Sequence, residues 1–263
     1  MIKLLNEPIN DLFYDLVSLS TTKIRLCAPY VKNEIIQEIY SLKKQDVSVD
    51  YISNFSLPNF YKKSSDIEAF DSIARRNDRM FNCQLLHAKL YIFDDKKAIV
   101  TSANLTSSGF KRNIEYGVYL EEPGMVNQSL LDYKSICNNS DTGKITPRKI
   151  QNIKSILNHL PKYCEMNFDS YNDVNEVDSI LEIDKKLILH RLSDWKKEIF
   201  CVVDDLNMTE FALADVYERE YIFKKKFPNN NTIKDSMRRN LQELRDLGLI
   251  KFPGNGNYKK LWR

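Results

Sequence analysis

The chain has no C-x-x-C pair; its five cysteines, Cys27, Cys83, Cys137, Cys164 and Cys201, are odd in number and widely spaced. That leaves no zinc or redox pattern and points to reduced, mostly buried thiols in a cytoplasmic protein. No apolar run approaches the roughly 18 residues of a membrane span, and the opening Met1-Ile2-Lys3-Leu4-Leu5-Asn6-Glu7-Pro8 has no signal-peptide core. A soluble, cytoplasmic protein without membrane attachment is expected. Internal repeats and low-complexity tracts are also absent, which leaves ordinary globular domains.

The composition agrees. Hydrophobic residues make up 43% and charged residues 29% of 263 positions, enough for a sizeable core, and the length suits one catalytic domain of roughly 100 to 200 residues plus a smaller module. The net charge of +3 is unevenly spread: residues 220–263 hold eleven Lys/Arg against four Asp/Glu, so +7 lies there and −4 over the rest. A polyanion-binding C-terminal end is implied.

Apolar, β-branched runs at residues 24–31, 47–52, 84–93, 98–102 and 114–120 read as strands. Helical patterns lie between them, such as Ile35, Ile36, Ile39 and Tyr40, and residues 66–75. This alternation predicts an α/β layered domain over residues 1–140. Pro147 then opens a helix with Ile150, Ile153, Ile156, Leu157 and Leu160 on one face, and Pro161 stops it. Residues 161–184 carry seven acidic groups and one basic one, Lys162, so residues 141–184 read as a helix followed by an acidic linker. From 185 to 203, Ile188, Leu192, Trp195, Ile199 and Val203 recur at spacings of three and four and predict a helix packed on the final module, residues 185–263.

The chemistry-bearing stretch is Leu86-His87-Ala88-Lys89-Leu90-Tyr91-Ile92-Phe93-Asp94, followed by Thr101-Ser102-Ala103-Asn104. Two apart on a strand, His87 and Lys89 share a face of the sheet. A second strand after a short turn brings Ser102 and Asn104 beside them. A phosphodiester needs a nucleophile, donors for its nonbridging oxygens and an acid for its leaving oxygen. His87 can attack, while Lys89, Ser102 and Asn104 stabilise charge. His159 and His190 sit in helical patterns without ligand-like neighbours. The motif offers no paired carboxylates for a two-metal site, so no metal and no cofactor are expected.

The pattern resembles the H-x-K-x4-D-x6-G-S-x-N signature of the phospholipase D superfamily, matched by His87, Lys89, Asp94, Ser102 and Asn104 at every spacing. Thr101 stands where that signature has glycine, and its side chain could crowd the phosphate approach. The resemblance implies a mixed β-sheet flanked by helices, and a carboxylate partner for the histidine, a place that Glu115 fits. Asp94 is read as ordering its turn. Because the family chemistry uses two histidines and one signature is present, the resemblance also implies a homodimer sharing one active site.

Near the C-terminus, Pro228-Asn229-Asn230-Asn231 marks a turn and Thr232 can cap a helix with Ile233, Met237, Leu241 and Leu244 on its apolar face, closed by Gly248. Two short strands around Pro253-Gly254-Asn255-Gly256-Asn257 complete a winged helix-turn-helix. This region resembles the C-terminal winged helix of Dam-replacing restriction endonucleases. The resemblance implies that Asn229, Asn230, Asn231, Thr232, Lys234 and Arg238 lie at double-stranded DNA, with Lys251, Asn255, Asn257 and Lys259 of the wing on its backbone. Arg245 and Asp246 read as a structural pair and Lys224-Lys225-Lys226 as a solvated face. The combined expectation is a metal-independent, site-specific restriction or phage-defence endonuclease. Two alternatives remain open: a DNA-binding regulator with an idle catalytic fold, and a phospholipid phosphodiesterase.

Overall fold

The computed structural model describes residues 1–6, 8–161 and 185–262. The expected acidic linker therefore lies outside the described residues from position 162 onward, as does Cys164. Two compact units result, Met1–Phe55 with Lys63–Ile150, and Ser56–Lys62 with Gln151–Arg263. Among the described residues no helix is long and apolar enough to cross a membrane.

The first unit opens with β1 (Ile2–Leu5), α1 (Asn10–Leu19), β2 (Lys23–Cys27), α2 (Asn33–Leu42) and β3 (Ser48–Ser53). After α3 (Leu57–Tyr61), which belongs to the second unit, come α4 (Ile67–Ala74), β4 (Arg79–Cys83), β5 (Leu90–Phe93), β6 (Lys97–Thr101), a π-helical turn (Ser108–Arg112), β7 (Gly117–Leu120), α5 (Pro123–Asn138), β8 (Thr142–Lys144) and the start of α6 (Pro147–Leu157). The strands form one mixed sheet in the order β1-β7-β6-β5-β2-β3-β4-β8, parallel along β2-β3-β4 and antiparallel elsewhere.

Helices on both faces explain why central β5, Leu-Tyr-Ile-Phe, is buried at every position. On one face α1 inserts Phe13, whose ring meets Tyr91, Phe93 and Phe110 edge-on at centroid distances of 5.2, 5.6 and 4.8 Å. On the other, α5 sets Val126, Leu130 and Tyr133 against Leu90, Ile92, Ala98 and Leu120. The start of α5 is fixed by Glu122, whose carboxylate accepts from the N–H groups of Gly124 and Met125 at 3.0 and 2.7 Å, with Pro123 at the first helical position. Because β5 is antiparallel to β2, with Leu90 opposite Cys27, the start of β5 lies at the carboxyl ends of β2 and β3. That is the edge where open α/β sheets bind ligands.

Several elements differ from the sequence expectation. The strand read over 84–93 begins only at Leu90, because a turn closed by Leu86 N–H to the Cys83 carbonyl (3.1 Å) occupies its first part. The strand read over 114–120 begins at Gly117. Strands β1, β4 and β8 were not legible, and β8 pairs with β4 to carry the first unit past residue 140 to Ile150. Of the four described thiols only Cys27 is fully buried; Cys83, Cys137 and Cys201 are half-buried.

The second unit contains α7 (Lys185–Leu189), α8 (Asp194–Asp205), β9 (Glu210–Ala212), α9 (Leu213–Tyr217), α10 (Glu220–Lys226), α11 (Ile233–Asp246), β10 (Ile250–Gly254) and β11 (Asn257–Lys260). The single helix expected over 185–203 is broken between α7 and α8, where Asp194 takes a positive φ of 49°. Its apolar positions Ile188, Leu192, Ile199 and Val203 are nevertheless buried. Trp195 is half-buried and stacks on Phe227 at 4.2 Å and Phe223 at 5.2 Å. Helix α11 buries Ile233, Met237, Leu241 and Leu244. It ends with Gly248 N–H on the Arg245 carbonyl and Leu249 N–H on the Leu244 carbonyl, a Schellman pair that uses the positive φ of Gly248 (70°). The hairpin β10–β11 turns through Asn255 and Gly256, both at positive φ, as a two-residue type I′ turn requires. The third strand, β9, pairs with β11 and was not expected.

Candidate active site

Residues 86–89 are extended, and Leu86 and Leu90 both enter the core beneath α5. With a period of two, the intervening His87 and Lys89 turn the other way. They lie just before β5 rather than within it, and the ladder reaches them through Thr101 N–H to the Lys89 carbonyl at 3.1 Å. His87 is exposed, while Lys89 is buried, only 7% exposed. Lys89 Nζ lies 3.0 Å from His87 Nε2 and donates to the His87 carbonyl at 2.7 Å. An ammonium has only donors, so a hydrogen bond to Nε2 uses the ring lone pair.

The second strand brings Ser102 and Glu115 together. Ser102 Oγ donates to Glu115 Oε2 and accepts from Tyr116 N–H at 3.0 Å, and Asn113 Nδ2 donates to Glu115 Oε1 at 3.1 Å. The Asn104 side-chain oxygen, Oδ1, accepts from Tyr30 N–H at 3.4 Å, which turns its NH2 group away from that backbone. Tyr30 and Asn113 carry no motif signature; only the fold shows their part.

Two buried donors pin the residues between the candidate pairs. Tyr91 OH donates to the Ala103 carbonyl at 2.7 Å, between Ser102 and Asn104, and Cys27 Sγ lies 3.8 Å from the Ala88 carbonyl, between His87 and Lys89. Burial pushes both groups far above their ordinary pKa range. Both therefore keep the proton they donate.

Asp94 stands apart, at the other end of β5. Its carboxylate accepts from the N–H groups of Thr21, Thr22 and Lys23 at 2.7, 2.8 and 3.0 Å and from both threonine hydroxyls at 2.9 Å. Partial burial alone would raise its pKa, but the N–H groups of Lys23, Thr22 and Thr21 outweigh it and hold the carboxyl far below the usual range. Asp94 ties the α1–β2 turn to the β5–β6 turn. Thr101 likewise faces inward, its hydroxyl donating to the Tyr116 carbonyl at 3.3 Å and accepting from Ala103 N–H at 3.2 Å. It sits between Gly117 on one side and Lys89 on the other.

In the second unit the expected DNA-facing residues separate into two kinds. Asn229, Asn231, Thr232, Lys234, Arg238, Asn255 and Asn257 are exposed. Asn230 is turned inward: its amide donates to Ser236 Oγ at 2.9 Å and its carbonyl accepts from Thr232 N–H at 2.8 Å. Asn230 thus shapes the entry to α11. Thr232 occupies the N-cap position but makes no side-chain cap bond. Lys234 lies 3.9 Å from Glu220 and over the Tyr217 ring. Lys259 is half-buried and ion-paired to Glu210 at 3.4 Å, and Lys251 is half-buried. Arg239, exposed beside Arg238, was not singled out in the sequence. Arg245 and Asp246 form a pair at 3.0 Å, each side chain nearly buried. Lys224 and Lys226 pair with Glu220 and Glu198.

Comparison with known proteins divides the chain along the same lines. Residues 14–136 match the family model described as cardiolipin synthase, PLD-like domain, and residues 192–260 match the Dam-replacing HTH domain. Similar solved structures include the phospholipase D family member Nuc from Salmonella typhimurium, 18% identical with a TM-score of 0.47, over 56% of this chain and 98% of that one. NucT from Helicobacter pylori is 16% identical, TM-score 0.46, over 55% and 99%. Phosphatidylserine synthase from Haemophilus influenzae is 15% identical, TM-score 0.44, over 55% and 40%. This chain therefore joins a phospholipase D-like domain to a Dam-replacing helix-turn-helix domain.

Proposed function

We propose that this protein is a site-specific DNA endonuclease of the restriction or phage-defence type, working without a metal ion through a phosphohistidine on His87. The observation that carries the reading is the contact of Lys89 Nζ with His87 Nε2 at the start of β5, in a chain that also holds a helix-turn-helix domain.

In the first step the His87 Nε2 lone pair attacks phosphorus. A P–N bond forms, the P–O bond to the leaving sugar oxygen breaks, and that oxygen takes a proton from His87 of a second copy. In the second step the same imidazole removes a proton from water, whose oxygen attacks phosphorus. The P–N bond breaks and His87 is restored. Lys89 and the NH2 group of Asn104 hold nonbridging oxygens. The Ser102 hydroxyl donates to Glu115 in the structure, so phosphate binding turns that hydroxyl from the carboxylate to the substrate. Each Glu115 oxygen keeps a further lone pair, and acceptance from His87 Nδ1–H completes its proposed role. In the second unit, exposed Asn229, Asn231, Lys234 and Arg238 face DNA, with Lys251, Asn255, Asn257 and Lys259 along the wing.

The test is digestion of methylated and unmethylated plasmid DNA in excess EDTA with wild type and His87→Ala, plus alkaline, denaturing quenching to look for an acid-labile, alkali-stable phosphoryl label on the protein. Discrete EDTA-resistant fragments, lost in the variant, are expected. Cleavage that survives His87→Ala, or that EDTA abolishes, would remove the mechanism.

A further inference from the structure

We propose that Asn54 is a positioning residue for His87 and that the end of α11 bears on the same support, so that the setting of His87 depends on the helix-turn-helix unit. The chain leaves the first unit at Phe55–Ser56 and returns at Lys62–Lys63, and α3 between them belongs to the second unit. Before that exit, three bonds tie down the residues that follow β3. Asn54 N–H donates to the Pro29 carbonyl at 3.3 Å, Phe55 N–H to Asn82 Oδ1 at 2.9 Å, and Asn54 Nδ2 to the Gln84 carbonyl at 3.1 Å. Gln84 stands in the turn that Leu86 N–H closes on the Cys83 carbonyl, and His87 follows that turn directly. The carboxamide of Asn54 thus fixes the peptide from which the motif departs.

Past the exit, Ser56, Leu57, Asn59 and Phe60 are all buried. Gly248, which closes α11, lies against the first of them: a Cβ on Gly248 would fall 2.4 Å from Ser56 Cα and 2.8 Å from Leu57 N. The left-handed φ at this position would admit asparagine as well as glycine; the approach to Ser56 admits glycine alone. Both atoms are backbone, so no rotamer change relieves the contact, and a close-packed interior passes a displacement on. Ser56 is joined to Asn54 through Phe55 alone, which is fully buried and whose N–H is bonded. A shift of Ser56 therefore moves Asn54, and with it the Gln84 carbonyl. The inference rests on His87 as the attacking group proposed above.

The experiment is proton NMR of the imidazole signals of the full-length protein through a pH titration, with cleavage kinetics on plasmid DNA in parallel, for wild type, Asn54→Ala, Gly248→Ala, the double variant and Gln242→Ala. Three histidines give few signals, and His87→Ala assigns the one that matters. Gln242 is exposed on α11 and serves as the control. Asn54→Ala and Gly248→Ala should each move the His87 signal or its titration midpoint and lower kcat by about 10- to 100-fold, with KM within about two-fold of wild type. His159 and His190 should titrate as in wild type, as should His87 in Gln242→Ala. On one shared support the double variant should be no slower than the worse single variant. An unmoved His87 signal in either variant, folded by circular dichroism, overturns the proposal, and so does a double variant whose losses multiply. Should one variant fail to fold, the other decides alone. A wild type that cleaves no DNA removes the nuclease reading, and the NMR arms still decide the link between Gly248, Asn54 and His87.

Discussion

Gly117 lies opposite Thr101 across the β6–β7 pair, where a Cβ on Gly117 would fall 2.9 Å from the Thr101 Cβ and 2.7 Å from the Val100 carbonyl oxygen. The missing side chain at one position makes room for the added one at the other. Thr101 stands where the phospholipase D signature has glycine, and its hydroxyl is held by the Tyr116 carbonyl and Ala103 N–H. Gly117→Ala should therefore cost about 1 to 3 kcal/mol by overpacking, read as a lower urea midpoint. Adding Thr101→Gly should recover only part, since the Val100 carbonyl remains. A Gly117→Ala protein as stable as wild type would show that the strands shift freely there.

Lys89→Met keeps the buried stem of the side chain and removes its charge. Cleavage should slow by about 100- to 1,000-fold through kcat, with DNA affinity in a filter-binding or anisotropy assay unchanged. A large loss of affinity with normal kcat would make Lys89 a binding residue only.

Tyr91→Phe deletes one hydroxyl that holds the Ala103 carbonyl between Ser102 and Asn104. The buried acceptor loses its donor, so stability should drop by about 1 to 3 kcal/mol, and kcat should fall more than KM rises as the two donors lose register. Unchanged kcat would limit Tyr91 to a packing role.

Asp94→Asn should lower thermal stability at neutral pH while leaving the folded enzyme active, because Asp94 ties turns at the far end of β5. The folded carboxyl titrates below its unfolded value, so its contribution is present above roughly pH 4 and is lost as pH falls through the folded pKa. The stability gap between wild type and variant should accordingly close in acid. A gap that persists unchanged at low pH would separate the bond network from the charge.

Arg238→Ala should weaken DNA binding for every sequence alike and reduce the slope of log affinity against log salt by about one. Asn230→Ala should instead lower the melting temperature, since its amide holds Ser236 and Thr232 at the start of α11. A variant that changes sequence preference without loss of stability would return Asn230 to the group that reads DNA.

Much of this was visible in the chain before folding was considered. Helix α11 was legible because Ile233, Met237, Leu241 and Leu244 repeat with the helical period and all end buried. The pairing of His87 with Lys89 was legible because extended backbone puts alternate residues on one side whether or not a neighbouring strand is present. Strands β1, β4 and β8 were not, because they are short and owe their conformation to long-range pairing, as in Phe81 opposite Lys144. The break before α8 was equally hidden, since the apolar positions on both sides of it keep their spacing.

The sequence alone determined which side chains could do chemistry and which faces had to be buried, because those follow from residue type and local period. Tertiary structure decided what each side chain was used for. Asn230 read as DNA-facing by position, yet its amide is spent on Ser236 and on Thr232 N–H, and Asp94 found its partners in the N–H groups of Thr21 and Thr22, which no local pattern marks. Tyr91 and Cys27, which no motif marks, became supports for the site because pairing of β2, β5 and β6 places their buried donors at the Ala103 and Ala88 carbonyls. A polar group buried by its neighbours must bond to whatever acceptor the fold brings near, and only the fold specifies that acceptor.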